Sequence, residues 1–518
     1  MDDILAAFGA TLSKSEEHLM DSTKFDMPRT DQPQLQASDI TDLRTALDFL
    51  AVIPGQLVST KVEVDPYLEL AGVYRRVGSG TPTAPPTQIG PAMLFENVKG
   101  YDMSVVAGIL ASRERTALLL GSSKERLAFD LLAALDRPVP PVVVPAAKAP
   151  CQEVVIKPPF DMRAVIPAII NTKKDTGVFL NMPLLRGEDP ETGISDVTIH
   201  RMCIHGPDSM SVSFTPGRHI DAFRLKAEAL GRSLPVSVSI GLDPAIYVAT
   251  SFEAPATPLG FDELTIAGGL RNRPVELVDC LTQPTKAIAR AEIILEGEFR
   301  PGEYADEDAL TGSGWAMPEF PGYVGSAQPH LPVLHVTAIT HRIDPIFQIL
   351  VGPGEEHVTL TGLPTEASIY RLVEDAMPGF LQNVYCHPGG GGKYLAILQV
   401  KKRRLSDEGR QRQAALVAFT AFSELKHAIL VDEDVDLYDS GDVIWAMTTR
   451  YQGDVSTIFI PGVRCHTLDP SATPEFNSML RDSGISCKAI FDCTAPFAMK
   501  ERFERSQFVD VDLEKYFS

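Results

Sequence analysis

The sequence predicts a multidomain protein of mixed α+β and α/β class, with a strand-rich barrel at its centre and an α/β domain near its C-terminal end. Three observations carry that reading. The apolar period is helical over residues 41–135, turns to short alternating strands over about 163–350, and becomes an alternation of helices and apolar strands beyond 357. Seven prolines lie between Arg137 and Pro159, where proline suits neither a helix interior nor a central strand. No internal repeat of solenoid or propeller period runs through the chain. The expected organisation is a helical or mixed region over 1–160 that ends in the proline-rich connector, a central domain over 161–350, a C-terminal α/β domain over 351–490 and a tail over 491–518.

Each element has a local reason. Residues 1–35 are polar with two apolar patches and predict an arm or loosely docked tail. In LRTALDFLAVI, Leu43, Ala46, Leu47 and Leu50 fall on one helical stripe, and helical periods return at 66–77, 104–119 and 122–135. The strand-like runs that follow are VTIHRMCI (197–204), SVSFT (211–215), AIYVATSF (245–252), AEIILEGEF (291–299) and VLHVTAIT (333–340), with helices at 219–231 and 261–271 between them. Many short strands with few helices predict an antiparallel or mixed barrel. Farther on, helices at 365–378 and 407–427 alternate with YLAILQV, AILVD and STIFI, which predicts a mostly parallel sheet.

Composition narrows the function classes. The 518 residues carry 47 Lys+Arg against 68 Asp+Glu, a formal charge of −21. That excess disfavours nucleic acid and anionic membranes, both of which need a basic footprint. It leaves room for an anionic small ligand in a cleft where positive charge is concentrated. The start MDDILAAFGA lacks the basic and apolar regions of a signal peptide, and no apolar run approaches the ~18 residues of a membrane span. Seven cysteines without a C-x-x-C pair suit reduced thiols in a cytoplasmic protein.

Three stretches hold residues that suit chemistry, and two acidic ones weigh less. The run Gly389 to Lys393 reads either as an anion-binding backbone with a lysine or as a flexible loop before a strand; it is no Walker A loop, because Tyr394 follows the lysine. Asp196, His200 and Arg201 sit in SDVTIHRM, with His219 and Glu263 downstream. An Asp/His/Glu set suits Mg²⁺ or Mn²⁺, although a solvated Asp or His on a strand is the plainer reading. In AMPEFPGY (316–323), Glu319 lies between fixed, apolar neighbours and is either a desolvated proton donor or a solvated turn residue. Glu292, Glu296 and Glu298 share a strand face, and VDEDVDLYD (431–439) holds five acids; both predict hydrated surface.

Taken in order, ELAGVYR (69–75), ASRERTALLLG (111–121), DVTIHRM (196–202), GLDPAIY (241–247), AMPEFPGY (316–323), VGPGEEH (351–357), GLPTEASI (362–369), VDEDVD (431–436) and FDCT (491–494) resemble the UbiD-like decarboxylases that depend on prenylated FMN. The resemblance runs from about Thr41 to the C-terminus, on the branch holding protocatechuate (3,4-dihydroxybenzoate) and heteroaromatic-acid decarboxylases. It implies a split β-barrel that binds the flavin and a C-terminal α/β domain involved in oligomerisation. It also implies reversible, non-oxidative loss of CO₂ from an electron-rich aromatic carboxylate, such as 3,4-dihydroxybenzoate or an indole-3- or pyrrole-2-carboxylate, through a covalent adduct with the cofactor.

By the same resemblance Arg201 and Glu319 are the catalytic pair, Glu319 giving the proton. Asp196, His219 and Glu263 hold Mn²⁺ or Mg²⁺, which bridges to the cofactor phosphate; Lys393 also meets that phosphate. Backbone carbonyls around Ala249 to Phe252 help to hold K⁺. Val197, Thr198, Ile199, Arg218, Ser251 and Phe252 complete the expected cofactor lining, while Trp315, Met317, Phe320, His330 and the 465–470 loop are expected around the substrate. Many relatives carry a second Glu five residues before the proton donor, and that position here is Gly314. The Glu–Arg–Glu arrangement is therefore expected to be incomplete. Asp196 and Arg201 belong to opposite faces of an ideal strand, so both can serve one cofactor only if the strand bends or bulges. Expected partners are a flavin prenyltransferase and further copies of the chain, as a homodimer or larger homo-oligomer. Competing readings are a polyprenyl-hydroxybenzoate decarboxylase subunit of quinone biosynthesis and a non-catalytic flavin-binding scaffold.

Overall fold

The first α-helix among the described residues begins where the sequence supplies its cap. Asp42 Oδ1 accepts the Thr45 N–H at 2.9 Å while Thr45 Oγ1 accepts the Asp42 N–H at 3.1 Å, which opens α1 (Leu43–Ala51) and buries its predicted stripe. The structure, a computed structural model, describes residues 35–518 apart from 81, 83, 216, 481, 513, 514, 517 and 518. The expected N-terminal arm lies outside the described residues, except for Leu35. Helices α2 (Glu69–Gly78), α3 (Arg113–Leu120) and α4 (Leu127–Asp136) accompany a four-stranded sheet of Leu57–Thr60, Ala92–Phe95, Ser104–Ala107 and Ile346–Ile349. The helix expected over 104–119 is thus two elements. The β-branched SVVA run joins the sheet, Gly108 turns the chain at φ +79°, and Ser112 caps α3.

The central region forms one nine-stranded antiparallel sheet. Its strands are β1 (Val154–Ile156), β2 (Phe179–Leu180), β3 (Leu184–Glu188), β4 (Ser195–Ile199), β5 (Met202–Ile204), β6 (Ser209–Val212), β7 (Leu234–Ile240), β8 (Ile293–Ala305) and β9 (Leu331–His341). The pairing order is β2-β5-β6-β9-β8-β7-β3-β4, with β1 added to β9. No pairing joins β2 to β4 among the described residues, so the expected barrel is not closed by hydrogen bonds. Chain connectivity nevertheless rolls the sheet. From β5 to β4 the path crosses six inter-strand steps, about 29 Å if flat, whereas only His200 and Arg201 join the two strands, a span of at most about 11 Å between their ends. The sheet therefore curls until β4, at one edge, lies close to β5, next to the other, at His200–Arg201.

Other expectations shift with this topology. VTIHRMCI, expected as one strand, breaks into β4, at one edge of the sheet, and β5, next to the opposite edge strand β2. Much of AIYVATSF is helix α6 (Pro244–Ala249), which follows α5 (His219–Ala229); its apolar residues mimic a strand, but Asp243 caps it and proline occupies its first position. The proline-rich connector is not merely extended, since its last residues pair as β1 with β9. Glu292 and Glu296, expected on a hydrated face, are fully buried. Glu292 pairs with Arg44 at 2.8 Å, and Glu296 accepts the N–H groups of Leu281 and Thr282. Helix α7 (Leu264–Arg271) follows.

In the C-terminal region the sheet order is 381–386, 395–400, 427–432, 485–492, 457–464. The inner three strands are parallel and the outer two antiparallel, a mixed sheet rather than the mostly parallel one expected. Helix α8 (Glu355–Ala376) starts ten residues before its expected position. Gly362, Pro364 and β-branched residues weaken the local helical signal there, and burial of most of that first half overrides it. The acids of VDEDVD are not a hydrated loop throughout: Asp432 and Asp434 both pair with Arg450 of α10 (Ser440–Arg450), the helix after α9 (Arg410–Ala421). All seven cysteines are free, and no helix among the described residues is long and apolar enough to cross a membrane.

Glu356 of α8 ties the C-terminal region to the N-terminal one. Its carboxylate accepts the Gly108 and Leu110 N–H groups, both at 2.9 Å, and burial pushes its pKa from 4.5 up to about 7. The folded chain then keeps a proton that the unfolded chain has released between about pH 4.5 and 7. The associated stability is full below pH 4.5 and is lost as pH rises through 7. Urea denaturation of wild type and Glu356→Gln across that window should differ in slope, with a cumulative difference on the order of 3 kcal/mol. Equal slopes would show that Glu356 does not bind this proton.

Candidate active site

Two cavities, of about 220 and 190 Å³, share Thr198, Thr215, Arg218, Phe252 and Glu253 in their walls and make one continuous cleft. Strand β4 runs along it. Asp196, Val197 and Thr198 line the smaller cavity; Thr198, Ile199, His200 and Arg201 line the larger. The bend that the sequence requires is the break after Ile199, where the chain leaves the edge strand β4 for β5 near the far side of the sheet. Side chains that an unbroken strand would point apart thereby line one cleft.

At one end of the cleft Arg201 is held by two carboxylates. Its Nε and Nη2 bond both oxygens of Glu307, at 2.7 and 2.9 Å, and its Nη1 donates to Glu319 Oε1. The side chains of Arg201, Glu307 and Glu319 are 15, 1 and 10 % exposed, so this is a buried, charge-assisted network. Glu319 is set by a tight turn in which its N–H reaches the Tyr323 carbonyl at 2.8 Å. A Cβ at Gly325 would stand 2.8 Å from Glu319 Cγ, so only glycine leaves this carboxylate its place. Glu319 is buried as its neighbours suggest, but paired rather than alone.

The incomplete Glu–Arg–Glu arrangement is corrected here. Glu307, twelve residues before Glu319, fills the role expected five residues before it. Gly314 itself is exposed, at φ +75°, in a turn held by Asp308. The residues between Glu307 and Trp315 loop out and return, which sequence spacing does not reveal.

At the other end, Asp196, His219 and Glu263 line the smaller cavity. His219, at the start of α5, has its Nδ1 2.9 Å from Asp196 Oδ1. Burial together with the nearby Asp196 pushes Glu263 up to about 9, and its Oε2 is buried without a partner. Burial also raises Asp196, opposed by His219. A buried carboxylate pair with an orphaned oxygen beside an imidazole is a set that a divalent cation would satisfy. Among the described residues no three His, Cys, Asp or Glu side chains are already arranged around a single metal position. Thr250, Ser251 and Phe252 line the larger cavity where α6 ends.

Lys393 lies 5.6 Å from the Phe320 ring centroid and 2.8 Å from Glu424 Oε2. The glycine run before it is neither a flexible loop nor an open anion cradle. A Cβ on Gly390 would lie 2.5 Å from Leu395 N, one on Gly391 2.5 Å from Phe320 Cδ2, and one on Gly392 2.6 Å from Thr361 Oγ1. These glycines permit a close backbone approach that seats Lys393 beside Phe320.

Of the expected substrate residues, Met317 and Phe320 line the cleft, as do His466 and Leu468 of the 465–470 loop. Trp315 and His330 do not. Trp315 is 40 % exposed at the rim of a short hairpin, and His330 stacks on Tyr304 at 4.0 Å. Asn181, Met182, Leu350 and Phe422 line the cleft with no sequence signal, whereas His357 and Thr365 lie in strings that carried the resemblance. Burial and neighbouring cations hold His200 near 3 and His357 near 4, so both imidazoles are neutral.

Family models of the 3-octaprenyl-4-hydroxybenzoate carboxy-lyase match this chain in order: the N-terminal domain over 53–135, the Rift-related domain over 142–355 and the C-terminal domain over 358–493. A gallate decarboxylase of Lactiplantibacillus plantarum is 48% identical over 482 residues, covering 92% of this chain and 98% of that protein. The chain belongs to the UbiD family of carboxy-lyases. Among solved UbiD-type folds, the apo 3,4-dihydroxybenzoic acid decarboxylase (AroY) of Klebsiella pneumoniae is 56% identical with a TM-score of 0.89, over 92% of this chain and 100% of that one. The UbiD-class enzyme HmfF of Pelotomaculum thermopropionicum, solved with FMN, is 33% identical with a TM-score of 0.82 and the same coverage.

In this UbiD chain Glu307→Ala should leave Arg201 with Glu319 alone and cost about 3 kcal/mol in denaturant unfolding. Adding Gly314→Glu should not restore it, because position 314 is exposed. Recovery in the double variant would overturn the assignment of Glu307 as the second carboxylate.

Proposed function

We propose that this UbiD-family chain removes CO₂ reversibly, without net oxidation, from an electron-rich aromatic acid of the 3,4-dihydroxybenzoate type, with prenylated FMN as cofactor. The observation that carries the reading is the Glu307–Arg201–Glu319 network at one end of a cleft whose other end gathers Asp196, His219 and Glu263, with Arg218 in the wall that both cavities share and Lys393 in the larger. Similarity to enzymes named for gallate and 3,4-dihydroxybenzoic acid supports a hydroxylated benzoate over indole-3- or pyrrole-2-carboxylate. The rolled central sheet serves as the split barrel that holds the flavin. Asp196, His219 and Glu263 hold Mn²⁺ or Mg²⁺; the backbone around Ala249 to Phe252 holds K⁺; Lys393 meets the phosphate. The cofactor comes from a flavin prenyltransferase, and the chain works in the cytoplasm as a homo-oligomer.

Loss of CO₂ from an aromatic ring leaves an electron pair in the ring plane, where the ring does not delocalise it. Prenylated FMN supplies the electron sink that no amino-acid side chain offers. The rest falls to the chain. Arg201 has five N–H donors, and its Nε/Nη2 edge is fixed by Glu307, so the N–H groups left free on its outer nitrogens receive the substrate carboxylate. Glu307 is a positioning residue, because it holds that guanidinium in one orientation. Glu319 in its acid form delivers a proton to the ring carbon that carried the carboxylate, and buried Met317, Phe320 and Leu350 keep water from competing for that site. High bicarbonate drives the same steps backwards.

Glu319→Gln should lower CO₂ release from 3,4-dihydroxybenzoate by at least about 100-fold while the flavin absorbance of the purified protein is unchanged. Full activity in that variant would remove Glu319 from the mechanism. Asp196→Ala or His219→Ala should lose metal and flavin together. A wild-type protein that takes up flavin but turns over none of a panel of aryl and heteroaryl acids would favour the scaffold reading, and turnover of prenylated hydroxybenzoates alone the quinone-biosynthesis one.

A further inference from the structure

The two cations that face the phosphate end of the cleft are not free. Arg218 pairs with Glu253, Glu253 lies 4.0 Å from Lys393, and Lys393 lies 2.8 Å from Glu424. The four side chains form an alternating chain of charge, +−+−, across the walls of both cavities. It ties the central sheet region, which supplies Arg218 and Glu253, to the C-terminal region, which supplies Lys393 and Glu424. Lys393 and Glu424 are only 10 and 15 % exposed, so water screens their pairing weakly. The formal charges of these four side chains sum to zero.

A flavin phosphate brings up to two negative charges near neutrality. Lys393 and Arg218 each keep N–H donors beyond those that Glu424 and Glu253 hold. A phosphate that bonds them therefore stands beside both carboxylates as well as Asp196 and Glu263, in a cavity that already holds more acids than bases. That arrangement is unfavourable unless a cation enters with the phosphate. Resting on the cofactor reading above, we propose that Glu424 and Glu253 are internal counter-ions that clasp Lys393 and Arg218 in the flavin-free chain, oppose phosphate binding, and so link flavin loading to divalent-cation loading. The clasp keeps two half-buried cations compensated in the absence of flavin and discriminates against phosphates that arrive without metal. By linkage, the metal strengthens phosphate binding as much as the phosphate strengthens metal binding.

The probes are FMN and riboflavin, which differ only in the phosphate. Flavin-free protein in fixed K⁺ is titrated with each, with and without Mn²⁺, and binding is followed by quenching of flavin fluorescence. Glu424→Gln should bind FMN about tenfold more tightly than wild type without Mn²⁺, gain less when Mn²⁺ is added, and leave riboflavin affinity unchanged. Lys393→Gln should weaken FMN alone. Equal or weaker FMN binding by Glu424→Gln, at an unchanged melting temperature, overturns the clasp, as does an equal gain for riboflavin. If Glu424→Gln melts lower, Glu253→Gln carries the same test from the other side. Wild-type protein that binds neither flavin with Mn²⁺ present overturns the cofactor reading itself, whereas normal FMN binding without the variant effect overturns only the counter-ion role.

Discussion

The span of two residues between β4 and β5 is the constraint on which the rest depends. His200 and Arg201 must join β4, at one edge of a nine-stranded sheet, to β5, the strand next to the other edge, and the sheet can satisfy that only by rolling. Rolling creates the cleft, and the residues that make the join stand in its wall. Arg201 stands at this seam, its carbonyl accepting the Ser213 N–H at 3.2 Å, and its side chain is captured by Glu307 and Glu319. Strand β4, which leads into the seam, carries Asp196 to the far cavity on the same short segment.

Burial of charge is managed by local neutralisation. The chain has a formal charge of −21, yet the cleft gathers Arg201, Arg218 and Lys393, each matched to an acid. Away from the cleft the same rule holds. Glu292 meets Arg44 and Arg342, Glu366 meets Arg113, and Asp432 meets Arg450. Ion pairs of this kind add little net stability but become costly when one member is removed. They fix which elements lie together: Arg44 ties α1 to the start of β8, Arg113 ties α3 to α8, and Arg450 ties α10 to the strand that ends at Asp432.

Much of this was legible in the residues. The capped helix at Asp42, the apolar strands of the C-terminal sheet and the acids, imidazole and arginine of the cleft all stand out from local pattern, because period and residue chemistry are local properties. The errors have equally local causes. A β-branched, aromatic run at 245–252 reads as a strand until its Asp-Pro start is weighed as a cap. The first half of α8 hides behind Gly362 and Pro364 because packing, not propensity, makes it helical. Glu292 and Glu296 look like a solvated face, since alternation shows which residues share a side but not whether another element covers it.

The sequence by itself determined the family, the run of element types and the chemical inventory of the site, because ordered motifs and residue chemistry survive without coordinates. Only the tertiary structure decided which groups meet. It replaced Gly314 with Glu307, removed Trp315 and His330 from the cleft, turned a glycine run into a packed joint, and showed Lys393 and Arg218 already held by carboxylates. The reason is physical: ion pairing, burial and close packing depend on separation through space, and a loop of a few residues can bring together what spacing along the chain keeps apart.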